Sequence, residues 1–155
     1  MLDIQIIAIG KLKEKHYLGA CFEYQKRLSA FGSVRIEELK PEPFSKNTQI
    51  KAQKLENQRL LNCLSKYDPD QIILLDKSGK ELDSISLANY LEKYNQKKIV
   101  LVIGGALGFN QELLAKYKNH LSFSKMTFPH ELARVILLEQ LYRAATIIKK
   151  KDYHY

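Results

Sequence analysis

The amino-acid sequence predicts an α/β fold, a mostly parallel sheet with helices on both faces. Three observations lead there. Short apolar runs rich in β-branched residues alternate with helix-period stretches from one end of the chain to the other, the pattern of strands joined by crossover helices. The strand runs are almost continuously apolar, as strands buried on both faces are. The length of 155 residues suits one domain, 1–155, with a core large enough to need neither disulfide nor metal. No internal repeat or low-complexity linker divides it.

Ile4-Gln5-Ile6-Ile7-Ala8-Ile9 reads as the first buried strand and stops at Gly10. Tyr17, Leu18, Cys21, Phe22, Tyr24 and Leu28 recur at helical spacing, and Gly32 follows. Val34 and Ile36 alternate with Arg35 and Glu37, a half-buried strand. Pro41 and Pro43 open a polar loop through Lys46. Asn47 is the expected cap of a helix carrying Ile50, Leu55, Leu60, Leu61 and Leu64. Ile72 to Leu75 is the third strand, expected to end at Asp76 with a turn at Ser78-Gly79. Asp83 or Ser84 caps a short helix with Ile85, Leu87 and Leu91.

Ile99 to Ile103 is the clearest strand, followed at once by Gly104-Gly105-Ala106-Leu107-Gly108. Asn110 caps another short helix, and Leu121 to Ser124 is the expected fifth strand. Pro129 suits the first helical position of a last helix running to about Lys150. Leu132, Val135, Ile136, Leu137, Leu138, Leu141, Ala144, Ala145, Ile147 and Ile148 cover most of that helix's circumference. Such a helix is buried on more than one side, and a second subunit is the expected source of the second side, ahead of burial within one chain.

Charge and cysteine content narrow the function classes. Lys and Arg number 25 against 17 acids, a net charge of +8. A basic excess attracts polyanions, nucleic acid foremost, although it also simply keeps a protein soluble. Cys21 and Cys63 have no metal-ligand spacing and read as small buried thiols in a reducing compartment. Residues 1–10 lack a basic signal-peptide start, and no apolar run approaches the roughly 20 residues needed to span a bilayer. A cytoplasmic protein is expected. The four histidines form no metal pattern, and no nucleophile elbow is present.

Two loops stand out chemically. The glycine run follows the fourth strand, where open α/β sheets bind ligands, and its bare backbone can approach a purine edge or a carboxylate. Its spacing is neither a dinucleotide fingerprint nor a P-loop, and a plain tight turn is the alternative. Phe123-Ser124-Lys125-Met126-Thr127-Phe128-Pro129-His130-Glu131 follows the next strand and offers rings, a Met and backbone amides, suited to an adenosyl group or to packing on itself. His130 and Arg134 share a helix face. Arg134 interrupts an apolar run, so its charge must meet an anion, a carboxylate or solvent; Glu131 and Glu139 are the nearby acids. Arg143 stands four residues after Glu139, in ion-pair order. The tail, Lys149-Lys150-Lys151-Asp152-Tyr153-His154-Tyr155, has the lysines and aromatics that grip single-stranded RNA, or is a frayed end.

Four segments together resemble the ribosomal large-subunit pseudouridine N3-methyltransferases of the SPOUT class: Ala8 to Lys13, Val102 to Gly105 with Gly108, Leu121 to His130, and Tyr142-Arg143-Ala144 with Tyr153-His154. The resemblance covers the whole chain; Tyr155 departs from the basic residue that often closes such sequences. It implies a trefoil knot at the C-terminal end, which general topology rules would not suggest, together with a homodimer. It also implies S-adenosyl-L-methionine as cofactor, held by Leu75, Gly104, Phe123, Ser124, Lys125, Met126, Thr127 and Phe128. The implied substrate is a pseudouridine of 23S rRNA in the assembled ribosome, methylated at N3, with no membrane and no metal partner. His130, Arg134, Tyr142, Arg143, Tyr153 and His154 are the expected RNA-facing and catalytic group, with His130 or His154 as proton acceptor. A non-catalytic ribosome- or RNA-binding protein that keeps the fold is the competing expectation, and a nucleotide-dependent oxidoreductase a weaker one.

Overall fold

The computed structural model describes residues 1–94 and 97–153. Five parallel strands form one sheet in the order β2-β1-β4-β3-β5. They are β1 (Leu2–Ile9), β2 (Gly32–Leu39), β3 (Ile72–Glu81), β4 (Lys98–Ile103) and β5 (Asn119–Ser122). Helices α1 (Lys15–Leu28), α2 (Gln49–Leu64), α3 (Ser84–Glu92), α4 (Gln111–Lys116) and α5 (His130–Ile148) connect and cover them.

Strand periodicity sorts the core into two halves. Ile4, Ile6 and Ala8 of β1, with Ile99, Leu101 and Ile103 of β4, face α1, α3 and α5. Ile7 and Ile9, with Val100 and Val102, face the opposite layer of α2 and α4. Both faces of the central strands are therefore dry, which is why β1 and β4 read as unbroken apolar runs.

α5 lies between α1 and α3 on the sheet. None of its residues from His130 to Ile148 is exposed. α1 and α3 both lean on this helix and cover part of its circumference, while Leu132, Val135, Ile136 and Ile147 stay half-buried. The apolar stripes of other helices are less well covered: Phe22 is 70% exposed, and Leu18, Ile50, Leu55 and Ile85 are also open to solvent.

Several element ends differ from expectation. β3 does not end at Asp76 but runs to Glu81, because its polar second half still pairs with β5. The register slips between Leu75 and Lys80, both of which oppose Leu121, so residues 76–79 bulge outward. Within the bulge the Asp76 carboxylate accepts from the Ser78 backbone N–H at 2.9 Å and from its hydroxyl. Thr48, not Asn47, precedes α2; its hydroxyl bonds back to Ser45 rather than capping the helix. Pro129 takes the cap position of α5, with His130 first in the helix and Ile148 last. β5 spans Asn119–Ser122, leaving Phe123 and Ser124 in the following loop. Asp83 and Asn110 cap α3 and α4 through their side chains. Cys21 is buried, whereas Cys63 is half-buried and donates to Glu37. No helix among the described residues is long and apolar enough to cross a membrane.

Candidate active-site cleft at the strand ends

The bulge of β3 and the C-terminal ends of β4 and β5 open into a cleft of about 820 Å³, within the size range of cofactor pockets. Two loops wall it. One is the glycine run after β4; the other runs from Phe123 to Pro129 after β5. Leu75 closes the base between them. Of the residues expected to hold a cofactor, Leu75, Gly104, Phe123, Ser124, Met126, Thr127 and Phe128 line the cleft. Lys125 is exposed and does not.

The glycine run is held from behind by α2. Gln53 Nε2 donates to the Leu107 carbonyl at 2.7 Å. Asn57 Nδ2 donates to the Gly108 carbonyl at 3.2 Å, while Asn57 Oδ1 accepts from Asn110 N at 2.9 Å. Gly108 adopts φ +66°, which glycine permits without strain. A side chain at Gly105 would come within 2.5 Å of Glu56 Oε2. Gln53, Glu56 and Asn57 occur at helical spacing and form one polar face turned inward onto the loop. Sequence reasoning missed them, since a polar stripe on an amphipathic helix ordinarily meets water.

The second wall has its own internal bonds. Ser122 Oγ donates to the Ser124 carbonyl at 2.9 Å, and Ser124 Oγ accepts from Met126 N at 3.1 Å. These fix the chain so that rings and backbone amides face the cleft. Apolar walls with exposed backbone groups and bare glycines suit a flat purine and a small amino-acid moiety. The residues present therefore fit S-adenosylmethionine.

His130 and Ala133, at the start of α5, also line the cleft. A Cβ at Gly10, which adopts φ +91°, would sit 3.4 Å from His130 Nε2. The loop after β1 is therefore pressed against the imidazole. Arg134, one turn on, is 1% exposed. It pairs with Glu38 and donates through Nη2 to the Gly10 carbonyl at 2.9 Å. It was expected among the RNA-facing residues; the structure places it inside, because β2 carries an acid next to the β1 end. Glu131 Oε2 accepts from Lys13 N at 2.9 Å and Glu14 N at 3.1 Å, and these two bonds hold its carboxyl below the ordinary range.

Tyr142, Arg143 and Tyr153 gather elsewhere. Twelve residues separate His130 from Tyr142 along α5, about 18 Å at the helical rise. Arg143 pairs with Glu139 at 2.7 Å, the ion pair that its spacing offered. Its guanidinium carbon lies 5.1 Å from the Tyr153 ring centre, and the Tyr142 and Tyr153 rings meet edge-on at 4.5 Å. Tyr24 joins them; burial first, then its bond to Tyr153, pushes its hydroxyl pKa up. His154 lies outside the described residues. Of the five expected functional residues that are described, His130 lines the cleft and Arg134 is buried one turn on, whereas Tyr142, Arg143 and Tyr153 form a separate group near the tail. Among the described residues, no cluster of three or more His, Cys, Asp or Glu is arranged to hold a metal.

Comparison with known proteins bears on this geometry. A family model described as "Predicted SPOUT methyltransferase" matches residues 2–154. Ribosomal RNA large subunit methyltransferase H of Clostridium botulinum strain Hall is 39% identical over 158 residues, covering 99% of each chain. Among solved structures, a probable methylase family protein from Haemophilus influenzae superposes with a TM-score of 0.59 at 14% identity, over 100% of this chain and 72% of that one. Ribosomal RNA small subunit methyltransferase E from Neisseria gonorrhoeae, bound to S-adenosyl methionine, gives a TM-score of 0.51 at 11% identity, over 94% of this chain and 66% of that one.

Proposed function

The chain belongs to the SPOUT methyltransferase family, and from that premise we propose that it methylates N3 of a pseudouridine in 23S rRNA, using S-adenosyl-L-methionine. The observation that carries the reading is the cleft at the strand ends, walled by the glycine run and the Phe123–Phe128 loop. The coarser statement, an S-adenosylmethionine-dependent rRNA methyltransferase, rests on the family and on the full-length relative. The choice of base and atom rests on the resemblance.

Bound S-adenosylmethionine supplies an electrophilic methyl group on a sulfonium. Leu75, the backbone at Gly104, and Phe123 to Phe128 hold it in this reading, with Lys125 contributing main chain only. The N3 proton of the base must leave, because the neutral imide nitrogen shares its lone pair with two carbonyls. His130 lines the cleft and is the side-chain type most used for proton transfer; it is our candidate acceptor, with His154 the other. Arg134 acts as a positioning residue, since its fork is spent on Glu38 and Gly10 and it ties the loop after β1 to the start of α5. Fixing the reacting groups in place supplies much of the acceleration in such a transfer.

The separation of the tail group from the cleft favours a homodimer in which Tyr142, Arg143, Tyr153 and His154 of one subunit face the cleft of the other. Exposed Phe22 and Leu18 of α1, beside half-buried Leu132 and Ile136 of α5, supply an apolar surface for it. The threaded C-terminal knot, one domain over 1–155, the assembled ribosome as substrate and a cytoplasmic setting belong to the same proposal. The test is incubation with labelled S-adenosylmethionine and ribosomes from a strain lacking the gene, followed by RNA digestion and mass spectrometry. Label on one pseudouridine of 23S rRNA is the expected result. Unlabelled ribosomes and unlabelled naked RNA would overturn the substrate.

A further inference from the structure

Glu56 Oε2 is, with Arg134 Nε, one of two buried side-chain polar atoms among the described residues that have no hydrogen-bond partner. Glu56 is 3% exposed. Its Oε1 accepts from Glu42 N at 2.9 Å, but its Oε2 has no hydrogen-bond partner. Arg59, the nearest cation on α2, spends its fork on the Lys40 carbonyl at 2.9 Å and on Glu42 Oε2 at 2.5 Å. Oε2 points instead at the cleft wall. A methyl group on Gly105 would meet it at 2.5 Å, with Ile9 Cγ2 at 3.0 Å. Gly105, which lines the cleft, has this carboxylate packed against the side where its Cβ would stand.

A buried carboxylate oxygen without a donor destabilises the fold. Burial pushes the Glu56 pKa up, against the opposing pull of the Glu42 N–H and of Arg59. Loop support alone does not call for this charge, because Gln53 and Asn57 already hold the glycine run through neutral amides. What a buried negative charge adds is a field at the adjacent cleft, screened less than that of a charge on the open surface. The methyl donor and its product differ in that respect: the donor carries a sulfonium, whereas the demethylated product is a neutral thioether.

We infer that Glu56 is a specificity-determining residue that makes the cleft prefer a cationic occupant, and so favours the loaded cofactor over the spent product. This rests on the proposed cofactor. Asp76 is an acid that lines the cleft itself; Ser78 fixes its carboxylate through two hydrogen bonds without removing its charge, so it is the comparison against which Glu56 is measured. The Glu56 charge acts through the backbone without touching the transferred group, so its signature is a ratio of affinities.

The experiment is calorimetric titration of the full-length protein with three ligands: S-adenosylmethionine, S-adenosylhomocysteine, and sinefungin, whose amine replaces the sulfonium with another cation. Wild type should bind both cationic ligands about tenfold or more tighter than the neutral one. Glu56→Gln should reduce that ratio at least fivefold and by more than Asp76→Asn does, while Glu56→Asp retains most of it. Glu56→Gln should also melt no lower than wild type, since it removes a poorly solvated charge and keeps the acceptor for Glu42 N. Equal weakening of all three ligands in Glu56→Gln, or a loss of the ratio in Asp76→Asn as large as in Glu56→Gln, overturns the inference. So does a wild-type protein without the preference, a result that needs no variant to fold. A wild type that binds none of the three would instead overturn the cofactor reading beneath it.

Discussion

Arg134, buried, and Glu38, partly exposed, form an ion pair that joins the last helix to the second strand across a sequence separation of 96 positions. The same guanidinium holds the Gly10 carbonyl, so three segments meet at one side chain. Arg134→Ala should lower stability by about 3 kcal/mol, because it leaves a half-covered carboxylate and an unpaired carbonyl behind. Urea denaturation measures this. A loss below about 1 kcal/mol would mean that water replaces the guanidinium freely.

Glu131 gives the fold an acid dependence of known sign. Its pKa is depressed in the folded state by the Lys13 and Glu14 N–H bonds. Its contribution is therefore fully present above the unfolded value of about 4.3 and is lost as pH falls through the lower folded value. The stability gap between wild type and Glu131→Gln should be constant at neutral pH and shrink in acid below that value, when unfolding is followed from pH 7 to pH 3. A gap that persisted unchanged in acid would remove Glu131 as its cause.

Gly79 sits in the β3 bulge where a Cβ would meet the Leu121 backbone carbon at 2.6 Å and its nitrogen at 2.7 Å. Backbone cannot swing aside as a side chain can. Gly79→Ala should cost about 2 kcal/mol or more by parting β5 from β3. Because β5 leads into the Phe123–Phe128 wall, cofactor affinity should fall with it. Thermal melts and calorimetry on one preparation test both.

Asn57, buried beneath the glycine run, satisfies both the Gly108 carbonyl and Asn110 N. Asn57→Ala strands both groups. It should weaken cofactor binding about tenfold or more while the secondary structure by circular dichroism is retained. Unchanged affinity would show that the glycine run keeps its shape unaided.

Deleting residues 153–155 should abolish methylation and spare cofactor binding. Mixed with a Gly105→Ala subunit, which keeps its tail but has a spoiled cleft, the deleted form should recover part of its activity through heterodimers. No recovery on subunit exchange would place the tail over the cleft of its own chain.

Much of this architecture was legible in the sequence, for a definite reason. β1, β3 and β4 are buried on both faces, so their positions appear as plain apolar runs, and Asp83 and Asn110 announce their helices by local hydrogen bonding. The glycine run alone could have been a tight turn; the cleft was legible because a second loop of rings and a Met follows the next strand and stands beside it. What escaped was set by distant partners. Nothing local tells Arg134 that its carboxylate is Glu38 rather than Glu131 or Glu139. The stretch Asp76 to Glu81 looks like a turn, and it remains a strand only because β5 arrives to pair with it. Leu18 and Phe22 fit the periodicity of a buried stripe, yet α1 turns them outward, since period reports a face and not what covers it. Glu56, Gln53 and Asn57 carried the surface signature of a solvated helix, whereas the glycine run packs over them.

α5 is synthesised after all five strands and the other four described helices, and both the Gly10–Glu14 loop and the facing sides of α1 and α3 wait for it. As it leaves the ribosome, the nascent chain therefore has an open apolar trough and a first loop with no anchor. Native packing of this sheet is reached only once α5 has been made, in a step that joins it to the loop after the first strand. A premature stop codon anywhere before α5 would thus yield not a weakened enzyme but a sticky, unfinished sheet.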